Sequence, residues 1–263
     1  ARAIGAQEAK DLAATHGEGH AVDGHKGPKG LAEGHRFQCN LTDISQLPSR
    51  SIQSLTQHEY AKDPHGYVEA DETYVDFVRE DDLIVAADGG TEVALELGLE
   101  PAVVIGDLDS LPDELRAQLE ERQVKFVTYP AQKDETDTEL AIHYALGAGA
   151  SEIVLLGAVG DRLDHTLANV LLLAMPELER VPATLIAGSN QLWLLRGGAQ
   201  LEFEGEAGDI VTLLPLGRDA TGITTTGLQW TLDNATLSFG PARGVSNVMT
   251  APLATVRLID GLL

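Results

Sequence analysis

From about residue 74 the chain alternates short runs that are apolar throughout with longer segments whose apolar positions fall three and four apart. The run "LIVAA" ends in "DGG", and "TEVALELGL" follows with Val93, Ala94 and Leu97 on helical spacing. "PAVVIGDLDS" predicts a strand, and "LPDELRAQLEER" a helix with Leu115 and Leu119 one turn apart. The cycle continues through "VKFVTYP" (strand), "DTELAIHYALGAGA" (helix), "SEIVLLGAVG" (strand), "TLANVLLLAM" (helix) and "ATLIAG" (strand). Strands without a polar face, alternating with helices, predict an α/β domain with a parallel sheet covered on both sides and right-handed connections.

After residue 190 the helical spacing stops. "QLWLLRGGAQLEFEG", "DIVTLLPLG", "GITTTGLQWTLDNATLSFG" and "ATVRLIDGLL" are short segments rich in Thr, Val, Leu and aromatics, punctuated by Gly, Asn and Asp. They predict an antiparallel β-sandwich, although the first hairpin fits an extension of the α/β sheet equally well. Trp193 is expected in the core. Residues 1–73 form an atypical segment, with His16, His20, His25 and His35 set among glycines and no apolar period. Such a tract either binds metal or is a loosely packed extension, and "LTDISQLPSRSIQSL" could carry a short helix. The expected division is 1–73, an α/β domain over 74–182 and a sandwich over 183–263.

Composition narrows the partners. The 263 residues contain 18 Lys and Arg against 41 Asp and Glu, a formal charge of −23. That charge disfavours nucleic acid and anionic lipid, and an anionic substrate needs a divalent metal or a local basic group. Cys39 is the one cysteine, which excludes an internal disulfide and a cysteine-based zinc site and fits a reducing, cytoplasmic compartment. Neither a membrane span nor a signal peptide is expected, since no 18-residue apolar stretch and no basic-then-apolar leader occurs.

The acids fall at one edge. Asp88 follows "LIVAA", Asp107 and Asp109 follow "VVIG", Asp134 and Asp137 follow "VKFVTYP", and Asp161 and Asp164 follow "IVLLGAVG". Every one lies at the carboxyl end of a predicted strand, where ligands bind in open parallel sheets. Singly, each fits an N-cap or an Asx-turn, Asp137 before "TELAI" above all. Seven together on one rim repel unless a cation intervenes, and Mg²⁺ suits oxygen ligands shared with phosphate. Lys133 and Arg162 are the cations among them, and Gly157 and Gly160 let backbone N–H groups approach an anion. His165 fits a general base or a structural hydrogen bond equally.

Six motifs, "AADGG", "IGDLDS", "KDETDTELAI", "GAVGDRLDH", "TTTGLQW" and "RGVSN", stand in the order and approximate spacing of thiamin pyrophosphokinases, and residues 75–263 resemble that family. The resemblance implies transfer of a pyrophosphoryl group from ATP to thiamin with Mg²⁺, by a homodimer whose active site lies at the subunit contact. It implies a catalytic group of Asp107, Asp109, Asp134 and Arg162, with the first three on the metal. Asp88, Gly89, Ser110, Lys133, Thr136, Asp137, Gly160, Asp164 and His165 would line the nucleotide, and Trp230, Ser246 and Asn247 of the partner's sandwich would hold thiamin. The permanent positive charge of thiamin suits an acidic protein and an indole face, and Ser246 and Asn247 can offer a pyrimidine edge a donor and an acceptor. Trp230 as sandwich core is the rival reading.

Two departures accompany the resemblance. No stretch of residues 1–70 reads as the apolar strand that family members place before "AADGG", and Asp161 stands where a glycine is common. Two other functions compete: a non-catalytic nucleotide- or thiamin-binding sensor, and an Asp-x-Asp Mg²⁺-dependent phosphatase suggested by "DLDS".

Overall fold

The computed structural model describes residues 51–56 and 72–263, apart from Ser110 and Asp161. The chain divides into two units, Ala1–Gln46 and Leu47–Leu263, and every described residue belongs to the second. The His-rich tract, Cys39, Ser110 and Asp161 lie outside the described residues.

The elements run β1 (Ser51–Thr56), a 3₁₀ turn (Glu72–Phe77), β2 (Leu83–Ala87), α1 (Gly90–Glu96), β3 (Val103–Gly106), α2 (Asp113–Glu121), β4 (Lys125–Thr128), α3 (Asp137–Gly147), β5 (Glu152–Leu156), α4 (Leu163–Leu172), β6 (Ala183–Ala187) and β7 (Asn190–Trp193). They form one seven-stranded sheet of order β4-β3-β2-β1-β5-β6-β7. All neighbours are parallel except the last pair, β6 and β7. The β6–β7 hairpin therefore extends the first sheet, and that sheet reaches Trp193 rather than ending at residue 182.

β1 corrects the reading of the N-terminal segment. "SIQSLT" pairs with β2 on one side and β5 on the other, at the point where the strand order reverses. It fills the place of the strand before "AADGG" that no apolar run marks, and it replaces the expected helix over residues 51–55. Its two apolar residues, Ile52 and Leu55, are three apart, a spacing that signals helix rather than strand.

Alternation along the strands explains why the others read as continuous apolar runs. Val85, Val103, Ile105, Ile153 and Leu155 pack with Leu140, Ala141, Ile142 and Ala145 of α3 and with Val170 and Leu172 of α4. Their sequence neighbours point the other way: Ile84, Val154, Leu156 and Ile186 pack with Ala94 of α1, and Ala86 and Val104 with Leu115 and Leu119 of α2. Both faces are thus covered, and each large apolar side chain so buried stabilises the fold by roughly 1.5–3 kcal/mol.

Beyond the sheet come β8 (Gln200–Glu204), β9 (Ile210–Val211), β10 (Ala220–Thr226), β11 (Ala235–Leu237), β12 (Asn247–Val248) and β13 (Leu253–Arg257). A four-stranded antiparallel sheet, β11-β10-β13-β8, shares its core with the β12–β9 pair: Val211 of β9 packs with Ile223, Leu237 and Val256. This is the expected sandwich. Arg196, at its entry, donates from Nη2 to the carbonyls of Leu173 and Met175 just beyond α4, at 3.2 and 2.9 Å. Trp193 is not core: it is 38% exposed and stacks on Phe203 with ring centroids 5.9 Å apart.

Candidate active site

The loops leaving β2 and β3 are held in unusual backbone conformations. Asp88 has φ 45°; its N–H donates to Ile105 O at 2.8 Å, and its carbonyl accepts from Thr91 Oγ1 at 2.7 Å. Thr91 is fully buried, so its hydroxyl fixes the turn into α1. Leu108 has φ 63°, a conformation that costs a non-glycine residue about 1–2 kcal/mol. It is buried, which anchors the turn between Asp107 and Asp109. Gly106 permits the close approach of the two loops, because a Cβ there would lie 3.2 Å from Asp88 Cβ and 3.4 Å from Asp137 Oδ1.

The consequence is a cluster. Asp88, Asp107 and Asp109 each offer a carboxylate oxygen within 4.8 Å of the other two. Asp109 N–H donates to Asp107 Oδ1 at 3.3 Å. A separate side-chain hydrogen bond between the two carboxyls and the charge of Asp107 hold the Asp109 carboxyl above its usual range, with a smaller push from Asp137 and relief from Lys133. Three acids so close form a site for a hard cation. Asp88 joins Asp107 and Asp109 in this group, whereas Asp134 is exposed and is not one of the three.

Lys133 and Asp137 adjoin the cluster. Lys133 Nζ lies 2.9 Å from Asp137 Oδ1, with only 11% of the lysine side chain exposed. That contact is one of charge, since Oδ1 is buried and receives no directed hydrogen bond. Asp137 is not the cap of α3. Thr136 is, its Oγ1 accepting from Glu139 N–H at 3.2 Å.

The loop after β5 is shaped by two residues that motif reading passed over. Thr166 Oγ1 meets both the N–H and the carbonyl of Gly160 at 3.1 Å, and Asn169, 4% exposed, donates from Nδ2 to Ala158 O at 2.9 Å. Two polar residues on the buried side of an otherwise apolar "TLANVLLLAM" are the signal that could have found them. Arg162 Nη2 lies 2.7 Å from Asp164 Oδ2, and this arginine lowers the Asp164 carboxyl to about 2. Gly89 is buried at the N-terminus of α1, and His165 is exposed on the first turn of α4.

In the sandwich, Trp230 is 57% exposed, so its indole is not spent on the core. Ser246 is exposed with φ 60° and donates its N–H to Thr212 Oγ1 at 3.2 Å. Asn247 is buried and its amide bonds the backbone of Trp230.

Residues 74–185 match the thiamin pyrophosphokinase catalytic domain, and residues 200–263 match the vitamin B1 binding domain of the same enzymes. This chain belongs to the thiamin pyrophosphokinase family. The thiamine pyrophosphokinase of Bacillus subtilis is 28% identical over 187 residues, spanning 71% of this chain and 87% of that protein. Thiamine pyrophosphokinase 3 of Oryza sativa subsp. japonica is 30% identical over 160 residues, spanning 57% of this chain and 59% of the plant protein. The crystal structure of the Bacillus subtilis thiamine pyrophosphokinase superposes with a TM-score of 0.70 at 25% identity, covering 81% of this chain and 96% of the other. The yeast thiamin pyrophosphokinase shares the fold at a TM-score of 0.65 and 17% identity, covering 83% and 86%. The two family-model matches begin at residue 74, after β1, so they do not rest on that strand.

Proposed function

We propose that this chain is a thiamin pyrophosphokinase that transfers the pyrophosphoryl group of ATP to the hydroxyethyl arm of thiamin, giving thiamin diphosphate and AMP. The observation that carries this reading is the convergence of Asp88, Asp107 and Asp109 in a chain that matches both domains of the family. In the reaction the thiamin hydroxyl oxygen bonds to the β-phosphorus, the bond from that phosphorus to the α-bridging oxygen breaks, and the hydroxyl proton is released.

The three-carboxylate cluster and the buried, undonated Oδ1 of Asp137 beside it fit Mg²⁺, held by Asp107 and Asp109 with Asp88. When bound, the ion supplies charge neutralisation for phosphate oxygens. Asp137 flanks it, Asp134 in the same loop is a further acid for the metal and phosphate, and Lys133 meets phosphate charge from a largely buried position that keeps its ammonium close to Asp137. Gly89, Thr136, Gly160 and His165 border the nucleotide. Arg162 reaches phosphate by loosening its contact with Asp164. The exposed indole of Trp230 offers a face to the thiazolium cation, and Ser246, next in sequence to the Asn247 that binds the Trp230 backbone, offers a hydroxyl to thiamin.

Leu163, Leu167 and Leu171 form an exposed row on α4, starting beside Arg162, and this row supports a homodimer with the active site at the subunit contact. No described helix is long and apolar enough to cross a membrane. The single cysteine supports a cytoplasmic setting.

The test is incubation of the purified protein with thiamin, ATP and Mg²⁺, followed by anion-exchange separation. Thiamin diphosphate and AMP are expected in equal amounts, and EDTA is expected to stop both. ADP or free phosphate in place of AMP, or thiamin binding without turnover, would overturn the assignment. Asn169→Leu provides a check on the loop after β5. It leaves Ala158 O without its donor, which is expected to cost about 1–3 kcal/mol of stability and to raise KM for ATP more than KM for thiamin, both read from melting and initial rates.

A further inference from the structure

Asn247 is bound on both sides of its amide. Its Oδ1 accepts from Trp230 N–H at 3.0 Å and from Val248 N–H at 2.9 Å, and its Nδ2 donates to Trp230 O at 2.8 Å. Both acceptor sites of the carboxamide oxygen are therefore taken, and one of its two N–H donors is used. A flipped amide would set NH₂ against two backbone N–H groups, so these contacts admit one orientation. The side chain is 7% exposed. Little of it remains to meet a substrate.

The backbone around it shows what the amide does. Gly227 turns the chain out of β10 with φ 73°, where a Cβ would run into Leu253 O and Ala254. From there the segment pairs with residues 248–250: Thr250 N–H donates to Gly227 O at 2.8 Å, Leu228 bridges Met249, and Gln229 N–H donates to Val248 O at 2.8 Å. At Trp230 the backbone ladder ends and the Asn247 amide takes its place, holding both the N–H and the carbonyl of that one residue. With the indole largely exposed, the position of its backbone decides where the ring stands.

We infer that Asn247 is a positioning residue, which fixes the Trp230 backbone so that the exposed indole is set in advance for a flat cationic ring, rather than a group that itself contacts thiamin. This rests on the reading of Trp230 as the thiamin-holding side chain. A preset ring loses less freedom on binding, and this saving appears in affinity for that substrate alone.

The test uses the full chain carrying Trp193→Phe, which leaves Trp230 as the sole tryptophan of the two. Adding Asn247→Ala is expected to lower the fluorescence anisotropy of Trp230 without ligand and to raise KM for thiamin on the order of tenfold, with kcat and KM for ATP little changed. Asn247→Asp keeps the acceptors but sets a carboxylate against Trp230 O; it is expected to show the same pattern, and it serves if the alanine variant fails to fold. In a Trp230→Ala background, Asn247→Ala is expected to add no further loss in kcat/KM for thiamin. Additive losses would make Asn247 a thiamin contact, and unchanged anisotropy would remove the positioning role; either overturns the inference. A normal KM for thiamin in Trp230→Ala alone would instead sink the thiamin reading of Trp230, while the anisotropy result still reports on the clamp.

Discussion

A chain beginning at residue 71 is expected not to fold, whereas one beginning at Leu47 is expected to keep the sheet and its activity. The difference is β1. Five of its residues are in register with β2 and five with β5, and the facing strands are buried from Ile84 to Ala87 and from Ile153 to Leu156. Removing β1 strips hydrogen-bond partners from both inner edges at once. Each buried backbone group left unpaired costs about 1–3 kcal/mol, so several of them exceed the roughly 5–15 kcal/mol that stabilises a domain. The pair of deletions would be compared by circular dichroism, gel filtration and turnover. A folded, active chain starting at residue 71 would remove β1 from the centre of the sheet.

Asp109→Asn is expected to lower turnover by at least about 10²–10³-fold while leaving the metal-free protein as stable as before, or more so. The two effects have one cause. Asp107 and Asp137 already raise the Asp109 carboxyl, so its ionised form is disfavoured in the metal-free fold, and neutralising it relieves that repulsion. With Mg²⁺ present the sign reverses, since the third carboxylate then contributes to binding. Wild-type melting is expected to rise with Mg²⁺, and that of the variant to rise less, because a ligand stabilises only in proportion to its affinity for the folded state. Near-normal turnover in Asp109→Asn would take Asp109 out of the metal set.

The site was partly legible because its acids sit where local pattern changes. Asp88 and Asp107 each follow an apolar run that stops at once, and such a stop marks the carboxyl end of a strand whatever the rest of the fold does. Which acids meet was not legible. Asp88 and Asp134 follow β2 and β4, which both flank β3, so adjacency does not choose between them; Gly106 lets the loops after β2 and β3 approach, and the left-handed turns at Asp88 and Leu108 aim those carboxylates together. Thr166 and Asn169 were passed over because their partners are backbone groups, which carry no signature in the sequence. Asn247 stood out as part of "RGVSN", yet its role depends on a contact 17 residues away.

The α/β half followed by the sandwich, the buried faces of the strands, the family and the edge where the acids collect can all be read from the chain's local pattern. All of these rest on period, order and short motifs, in which neighbouring residues share one physical environment. It took the folded arrangement to make polar "SIQSLT" the central strand, to join the β6–β7 hairpin to the first sheet, to leave Trp193 at the surface and to bring Asp88 into the carboxylate cluster. These depend on pairings between distant segments. A backbone ladder accepts any residue with an N–H and a carbonyl, so the side-chain pattern of one strand does not name its partner.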